Sequence, residues 1–279
     1  MPYNPVPPRS IPPLADAVAA AFGALPAVVA VALAGSRTGP LADDRSDVDL
    51  YVYARGRIPI ESRIAIMHHF TDHGGIDEQF AEPGDEWIDA HTGQGVDLIY
   101  RTPQRIEEAL DHVLVRHQAS TGYSTALWYN VLTSMPLQDR EGWFGALQAW
   151  ADRPYPAELR RAIIAKNHPR LRGIMSSLLH QLESAVLRRD LVSMNHRVTA
   201  ILASYFDIVF AINERPHPGE KRIVEHVLAS CSKVPPDMQQ HIEDLLDALA
   251  PTGDNQRLIH RVNMLLDGLD ALVRAEGLG

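Results

Sequence analysis

Apolar residues in the first half of the chain fall into short runs that predict β-strands between helices. The runs at 28–34 and 48–54 predict two buried strands. Leu14, Val18 and Phe22 recur at helical spacing, and Thr102-Pro103 provides a hydroxyl N-cap followed by proline at the first helical position. The further predicted strands are 76–80, 87–90 and 95–100, and the predicted helices are 13–25, 60–73 and one that begins at 103.

Beyond residue 124 the alternation disappears and a helical period dominates. The last of these segments is the clearest, because its leucines and valines share one helix face. The pattern predicts an α+β protein, with a mixed, twisted sheet flanked by helices in an N-terminal domain (1–123) and an all-helical C-terminal bundle (124–279). Residues 1–12 are proline-rich and predict an extended arm. The predicted helices of the second half are 124–133, 141–151, 157–189, 191–213, 219–230, 237–249 and 254–274.

The amino-acid composition excludes several kinds of partner and binding site. The formal net charge of the 279 residues is −9, which argues against extended nucleic acid as the main partner. Cys231 is the single cysteine, so a cysteine-rich zinc site and an intramolecular disulfide are both excluded. There is no signal-peptide pattern and no apolar run near the roughly 20 residues that a membrane span needs. We therefore expect a cytoplasmic protein with no membrane partner.

Small and acidic residues mark the ends of the predicted strands. Gly35-Ser36 follows the first strand and offers little side chain where a phosphate could approach the backbone. Asp47 and Asp49 open the second strand, and carboxylates at i and i+2 of a strand point to one face. Asp97 interrupts a later apolar strand with a charge that is costly to bury unless it is paired or bound to metal. Together these residues predict a site for Mg²⁺ and a nucleoside triphosphate.

The combination resembles a known signature. Residues 31–53, VALAGSRTGPLADDRSDVDLYVY, are similar to that of the DNA polymerase β-like nucleotidyltransferase superfamily, in which Gly-Gly or Gly-Ser precedes Asp-apolar-Asp and a third carboxylate lies on a later strand. The two-domain layout is similar to that of aminoglycoside and lincosamide nucleotidyltransferases. The segment 210–222, FAINERPHPGEKR, resembles one in uncharacterised bacterial members.

The resemblance implies a role for each matching residue. Gly35 and Ser36 would hold the triphosphate, and Asp47 and Asp49 would bind two Mg²⁺ ions. Asp97 would bind the catalytic ion and accept, or help to remove, the proton of the acceptor hydroxyl. A metal-bound aspartate is a weak base, so another carboxylate could take that proton; Glu78 and Glu86 are near in sequence, although we favour simple surface exposure for both.

Two cations are also candidates for binding the nucleotide. Arg37 either contacts a phosphate or pairs with Asp43 and Asp44, and the sequence does not decide between these roles. Lys221 follows Pro218-Gly219, at a predicted helix start beside a turn, and we favour a contact with the triphosphate.

The resulting hypothesis is a metal-dependent nucleotidyltransferase. It would move a nucleoside monophosphate, with AMP expected, from a Mg-bound triphosphate (ATP expected) to a hydroxyl of an unknown small-molecule acceptor. Two alternatives stay open: a protein adenylyltransferase of the antitoxin type, and a non-catalytic nucleotide-binding regulator. A homodimer is compatible with the sequence, but nothing in it supports one.

Overall fold

A computed structural model describes residues 11–38, 46–79, 82–249 and 255–278. Most of the predicted arm at 1–12 lies outside these residues, and so do Asp43 and Asp44. The elements of the first half, in chain order, are α1 (Pro13–Gly23), β1 (Val28–Leu33), a 3₁₀ helix (Gly35–Arg37), β2 (Val48–Ala54), α2 (Ile60–Met67), β3 (Gly74–Glu78), β4 (Gly84–Ile88), β5 (Gly95–Arg101), α3 (Pro103–Leu114), α4 (Ala126–Thr133), β6 (Met135–Asp139) and α5 (Trp143–Ala151).

The strands form one mixed sheet. Among the described residues it has six strands in the order β3-β4-β5-β2-β1-β6. The central pair, β2 and β5, is parallel, and the other neighbours are antiparallel. Because side chains alternate along a strand, equal registers on β2 and β5 place Asp49 and Asp97 on one face and Leu50 and Leu98 on the other.

The second of these faces carries the core of the sheet. Helix α1 packs against β1, β2 and β6, and α2 packs against β3. Helix α1 contributes Val18 and Phe22 to a cluster with Leu33, Leu50 and Leu98, all of which are fully buried. Burying such side chains contributes about 1.5–3 kcal/mol each, so this cluster fixes the register of β2 against β5.

Strand β6 corrects the sequence analysis, which predicted only helices beyond residue 124. It pairs with β1 at the edge of the sheet. Its sequence, MPLQD, has two apolar side chains and a proline, so it carries almost no strand signal. An edge strand tolerates Pro136 because one side of the strand makes no ladder hydrogen bonds.

Helices make up the described part of the second half. Their shared core is formed by the apolar faces of α7, α8, α10 and α11, with Leu182, Ile201, Leu245 and Leu265 completely buried. The elements are α6 (Ala157–His168), a π-helical turn (Pro169–Gly173), α7 (Leu178–Arg188), α8 (Leu191–Ile212), α9 (Ile223–Ser230), α10 (Met238–Asp247) and α11 (Asn255–Ala275).

Two predicted helices are too long. The predicted helix 157–189 is interrupted by the π-helical turn that starts at Pro169, because proline lacks the N–H that would continue the ladder. A new helix, α7, starts after Ser177, whose hydroxyl accepts a hydrogen bond from the His180 N–H at 3.3 Å. Helix α2 ends at Met67 rather than at residue 73, and the chain turns into β3 through Gly74.

The chain clusters into two compact units that interleave along the sequence. The sheet unit holds residues up to Asp111 and Leu127–Pro154, and the helical unit holds His112–Ala126 and Tyr155–Gly279. The sequence instead predicts a single boundary between residues 123 and 124. No helix in the described part of the chain is long and apolar enough to cross a membrane.

The helical unit contains a buried polar network around Asp207. This carboxylate accepts hydrogen bonds from the Ser124 N–H (2.9 Å), the Ser124 hydroxyl (2.7 Å) and the Asn167 amide (3.2 Å). The Asn167 side chain in turn accepts the Gly122 N–H at 3.0 Å. The network thereby ties the segment before α4 to α6 and α8. Burial raises the pKa of Asp207 to about 6, although the hydrogen bonds from Ser124 and Asn167 oppose that rise.

Candidate active site

The Gly-Ser turn lies directly against one of the predicted aspartates. After β1 the chain forms the 3₁₀ helix, in which Gly35 has a φ of +69° and Ser36 is half-buried. The Thr38 N–H and hydroxyl both donate to the Gly35 carbonyl, at 3.3 and 3.1 Å. A Cβ on Gly35 would overlap the Asp49 carboxylate. Glycine is therefore needed both for the left-handed backbone and for the space that Asp49 occupies.

Asp49 and Asp97 are neighbours across the parallel pair. They are register partners on β2 and β5, and adjacent strands lie about 4.8 Å apart. The Asp49 side chain is half-buried and that of Asp97 is exposed. The desolvation cost that singled out Asp97 in the sequence does not apply, because its carboxylate reaches solvent. What the structure does bring together is two carboxylates on one face of the sheet, beside the Gly35 turn.

Asp47 lies just before β2 and is exposed. Its carboxylate packs over Gly95, the first residue of β5, so closely that a Cβ on this glycine would overlap it. The sequence analysis did not identify Gly95 as part of the site. Its position two residues before Asp97 is the one signal that could have pointed to it.

Arg37 holds the backbone next to Asp47. Its Nε donates to the carbonyls of Ser46 and Asp47 at 2.9 and 3.0 Å, and its Nη2 also donates to the Ser46 carbonyl. Its alternative predicted partners, Asp43 and Asp44, lie outside the described residues. The hydrogen bonds connect the 3₁₀ helix to the residue before β2, so Arg37 fixes one end of the segment that carries Asp47.

An open cleft of about 800 Å³ adjoins these residues within the sheet unit. Asp47, Gly95 and Asp97 line it, as do Glu86 on β4 and His73. Glu86 is the register partner of Asp97 and is exposed, so the row of carboxylates extends across β2, β5 and β4. None of the described residues that line the cleft is lysine or arginine. The cleft therefore carries a negative charge.

Further along this face, Tyr51 on β2 lies beside an ion pair between Arg101 on β5 and Glu82. The Arg101 guanidinium lies 4.0 Å from the centroid of the Tyr51 ring and donates to Glu82 through Nε and Nη2, at 3.0 and 2.5 Å. Burial raises the pKa of the Tyr51 phenol, the charge of Arg101 opposes that rise, and the charge of Asp49 adds to it. Tyr51 therefore stays protonated at neutral pH, and Glu82 neutralises the charge of Arg101.

The carboxylates of the site meet some, but not all, of the requirements for binding a hard divalent cation. Mg²⁺ commonly takes one or two carboxylates and completes its shell with phosphates and water. Asp49 and Asp97 match that requirement in ligand type and in register. Among the described residues, however, no three His, Cys, Asp or Glu side chains are grouped closely enough to hold a metal ion. The convergence of Asp47, Asp49 and Asp97 on metal thus stays a prediction.

Lys221 belongs to the helical unit. It is exposed, in the turn between α8 and α9, and α9 begins two residues later at Ile223. Gly219 in the same turn has a φ of +103°, and its N–H donates to His217 Nδ1 at 3.0 Å. The predicted contact between Lys221 and a triphosphate stays a prediction.

Comparison with known proteins gives only structural likenesses, among them a distant one. No family model and no curated protein matches the sequence. A solved structure described as a nucleotidyltransferase-like protein from Exiguobacterium sibiricum 255-15 is similar to this chain at 15% identity. The similarity covers 92% of this chain and 72% of that one, with a TM-score of 0.44. At this level the likeness carries no functional argument.

Proposed function

We propose that the chain is a metal-dependent nucleotidyltransferase. It moves a nucleoside monophosphate, with AMP expected, from a triphosphate to a hydroxyl of a small molecule and releases pyrophosphate. The observation that carries the proposal is the pairing of Asp49 and Asp97 in register on parallel strands, with the Gly35 turn against Asp49.

The reaction requires charge to be neutralised on the attacked phosphate. The acceptor oxygen forms a bond to the α-phosphorus, the bond from that phosphorus to the pyrophosphate oxygen breaks, and the hydroxyl proton leaves. Bound Mg²⁺ would stabilise the charge on the α-phosphate and on pyrophosphate. Asp47, Asp49 and Asp97 are the residues that would hold it. We propose that Glu86, which is the exposed register partner of Asp97, takes the proton directly or through water.

The cleft favours a particular class of acceptor. Asp47, Asp97 and Glu86 line it without a lysine or arginine among the described lining residues. An acidic cleft attracts cations. We therefore expect an acceptor that carries amines in addition to the reacting hydroxyl.

The test is release of pyrophosphate from each of the four common triphosphates, with Mg²⁺ and a panel of amine-bearing and neutral polyols. Asp49→Asn should lower the rate on the order of 10²-fold or more, because metal stabilisation of transition-state charge is worth several kcal/mol. Asp16→Asn, an exposed carboxylate on α1, is the matched control and should leave the rate unchanged. Unchanged transfer in Asp49→Asn would contradict the proposal, and a radiolabelled protein band from lysate with labelled ATP would favour protein adenylylation instead.

A further inference from the structure

Two contacts from different parts of the sheet unit meet at Asp47. One holds its backbone carbonyl and the other limits the space of its carboxylate. Asp47 precedes β2 and therefore lacks the paired neighbours that fix Asp49. Its position must be set by contacts outside the ladder.

Arg37 provides the first contact. Its guanidinium spans the carbonyls of Ser46 and Asp47 through the hydrogen bonds described above. A planar guanidinium can reach two carbonyl oxygens at once from a fixed geometry, whereas an ammonium group on a flexible stem does not impose that geometry. The contact couples the Gly-Ser turn, which starts two residues before Arg37, to the start of β2.

Gly95 provides the second contact. Its φ lies outside the left-handed region, so its own backbone does not require glycine. The atoms that a methyl group would meet belong to the Asp47 side chain, with Cγ at 2.7 Å and Cβ at 3.4 Å from the added carbon. An added methyl group would therefore push the Asp47 carboxylate aside.

We propose that Gly95 and Arg37 are positioning residues that hold the Asp47 carboxylate on the side of the cleft that Asp97 also lines. This inference rests on the proposed metal-dependent transfer. It assigns Arg37 to the protein backbone rather than to a phosphate. It also accounts for glycine at a strand position where alanine would otherwise be acceptable.

The test compares Gly95→Ala with Gly56→Ala. Gly56 lies in the same unit, its φ is also outside the left-handed region, and an added Cβ there meets nothing within 4 Å. Mn²⁺ binding is measured by electron paramagnetic resonance in the presence of a non-hydrolysable ATP analogue, together with the melting temperature and the Mg²⁺ dependence of the rate. Residues that orient metal ligands typically change metal affinity about 10–100-fold when replaced. Gly95→Ala should weaken Mn²⁺ binding and raise the Mg²⁺ concentration needed for activity by about that factor. Its melting temperature should equal that of Gly56→Ala.

Arg37→Lys tests the first contact, between Arg37 and the carbonyls of Ser46 and Asp47, and does not depend on how Gly95→Ala folds. It should weaken Mn²⁺ binding about tenfold while leaving ATP binding in EDTA unchanged. A loss of ATP affinity in EDTA would instead assign Arg37 to a phosphate and overturn its positioning role. Mn²⁺ affinity in Gly95→Ala equal to that of Gly56→Ala would overturn the role of Gly95, with the proposed function intact. Wild-type protein that binds neither Mn²⁺ nor nucleotide would overturn the proposed function and this inference together.

Discussion

Replacing Asp207 with asparagine measures what burying this carboxylate in the helical unit does to stability. Burial raises its pKa from the ordinary value of 3.8 to about 6. That gap corresponds to about 3 kcal/mol, since one pKa unit is about 1.4 kcal/mol. The folded protein binds the proton more tightly than the unfolded chain, so the stabilising contribution is complete below pH 4 and is lost as the pH rises through 6. Asparagine does not titrate and lacks this dependence.

The assay is urea unfolding of both proteins between pH 4 and pH 7. The free energy of unfolding of the wild type relative to Asp207→Asn should fall by about 2.5 kcal/mol across this range, which covers most of the full difference. His217 is also buried, and burial lowers its pKa to about 4; its own dependence is common to both proteins and cancels in the difference. Asp190→Asn is a control in which the pH dependence should have the opposite sign. Hydrogen bonds from Ser193 lower the pKa of the exposed Asp190. The free energy of unfolding of the wild type relative to Asp190→Asn should therefore grow as the pH rises. A flat or rising difference for Asp207→Asn would refute the reasoning.

Three further predictions concern the sheet unit. Arg63→Ala should lower the free energy of unfolding by about 3–5 kcal/mol, because it leaves the buried Asp85 carboxylate without the guanidinium that pairs with it. Urea unfolding measures this loss, and a loss under about 1 kcal/mol would contradict the prediction. Trp128→Phe should cost about 1–3 kcal/mol, because the buried Ala151 carbonyl loses the indole N–H at 2.9 Å, and calorimetry should show a lower melting temperature with nucleotide binding retained. Gly142→Ala should lower the free energy of unfolding by about 1–2 kcal/mol, since its φ is +66°. Gly35→Ala should lower it further, since its φ is +69° and an added Cβ also overlaps the Asp49 carboxylate. Only Gly35→Ala should also weaken binding of a fluorescent ATP analogue, because an added Cβ meets Asp49 there and nothing within 4 Å at Gly142.

The parts of the fold that the sequence predicts are those with strong local signals. Strand β2 begins and ends where its apolar run does, and β1 ends one residue before the predicted end. Strand β6 has no such signal, because pairing with β1 at the edge of the sheet, rather than its own composition, makes it a strand. The break between α6 and α7 depends on Pro169, which a periodicity argument over 157–189 overlooks.

In the candidate site too, some features are visible in the local sequence and others depend on long-range strand pairing. The spacing of Asp47 and Asp49 and the Gly-Ser turn can be identified from the residues alone. The register that sets Asp97 beside Asp49 is a long-range property of strands separated by β3 and β4 in sequence. The contact between Gly95 and Asp47 likewise joins residues that are distant in sequence. Apart from its position two residues before Asp97, Gly95 gives no local sign of such a contact.

Anomalous diffraction from crystals soaked with Mn²⁺ and a non-hydrolysable ATP analogue would locate the metal on the protein. We expect manganese peaks between the carboxylates of Asp49 and Asp97, with phosphate oxygens completing the coordination and the triphosphate against the turn at Gly35. A bound nucleotide with no manganese at Asp49 and Asp97, or manganese bound only elsewhere on the chain, would contradict this expectation.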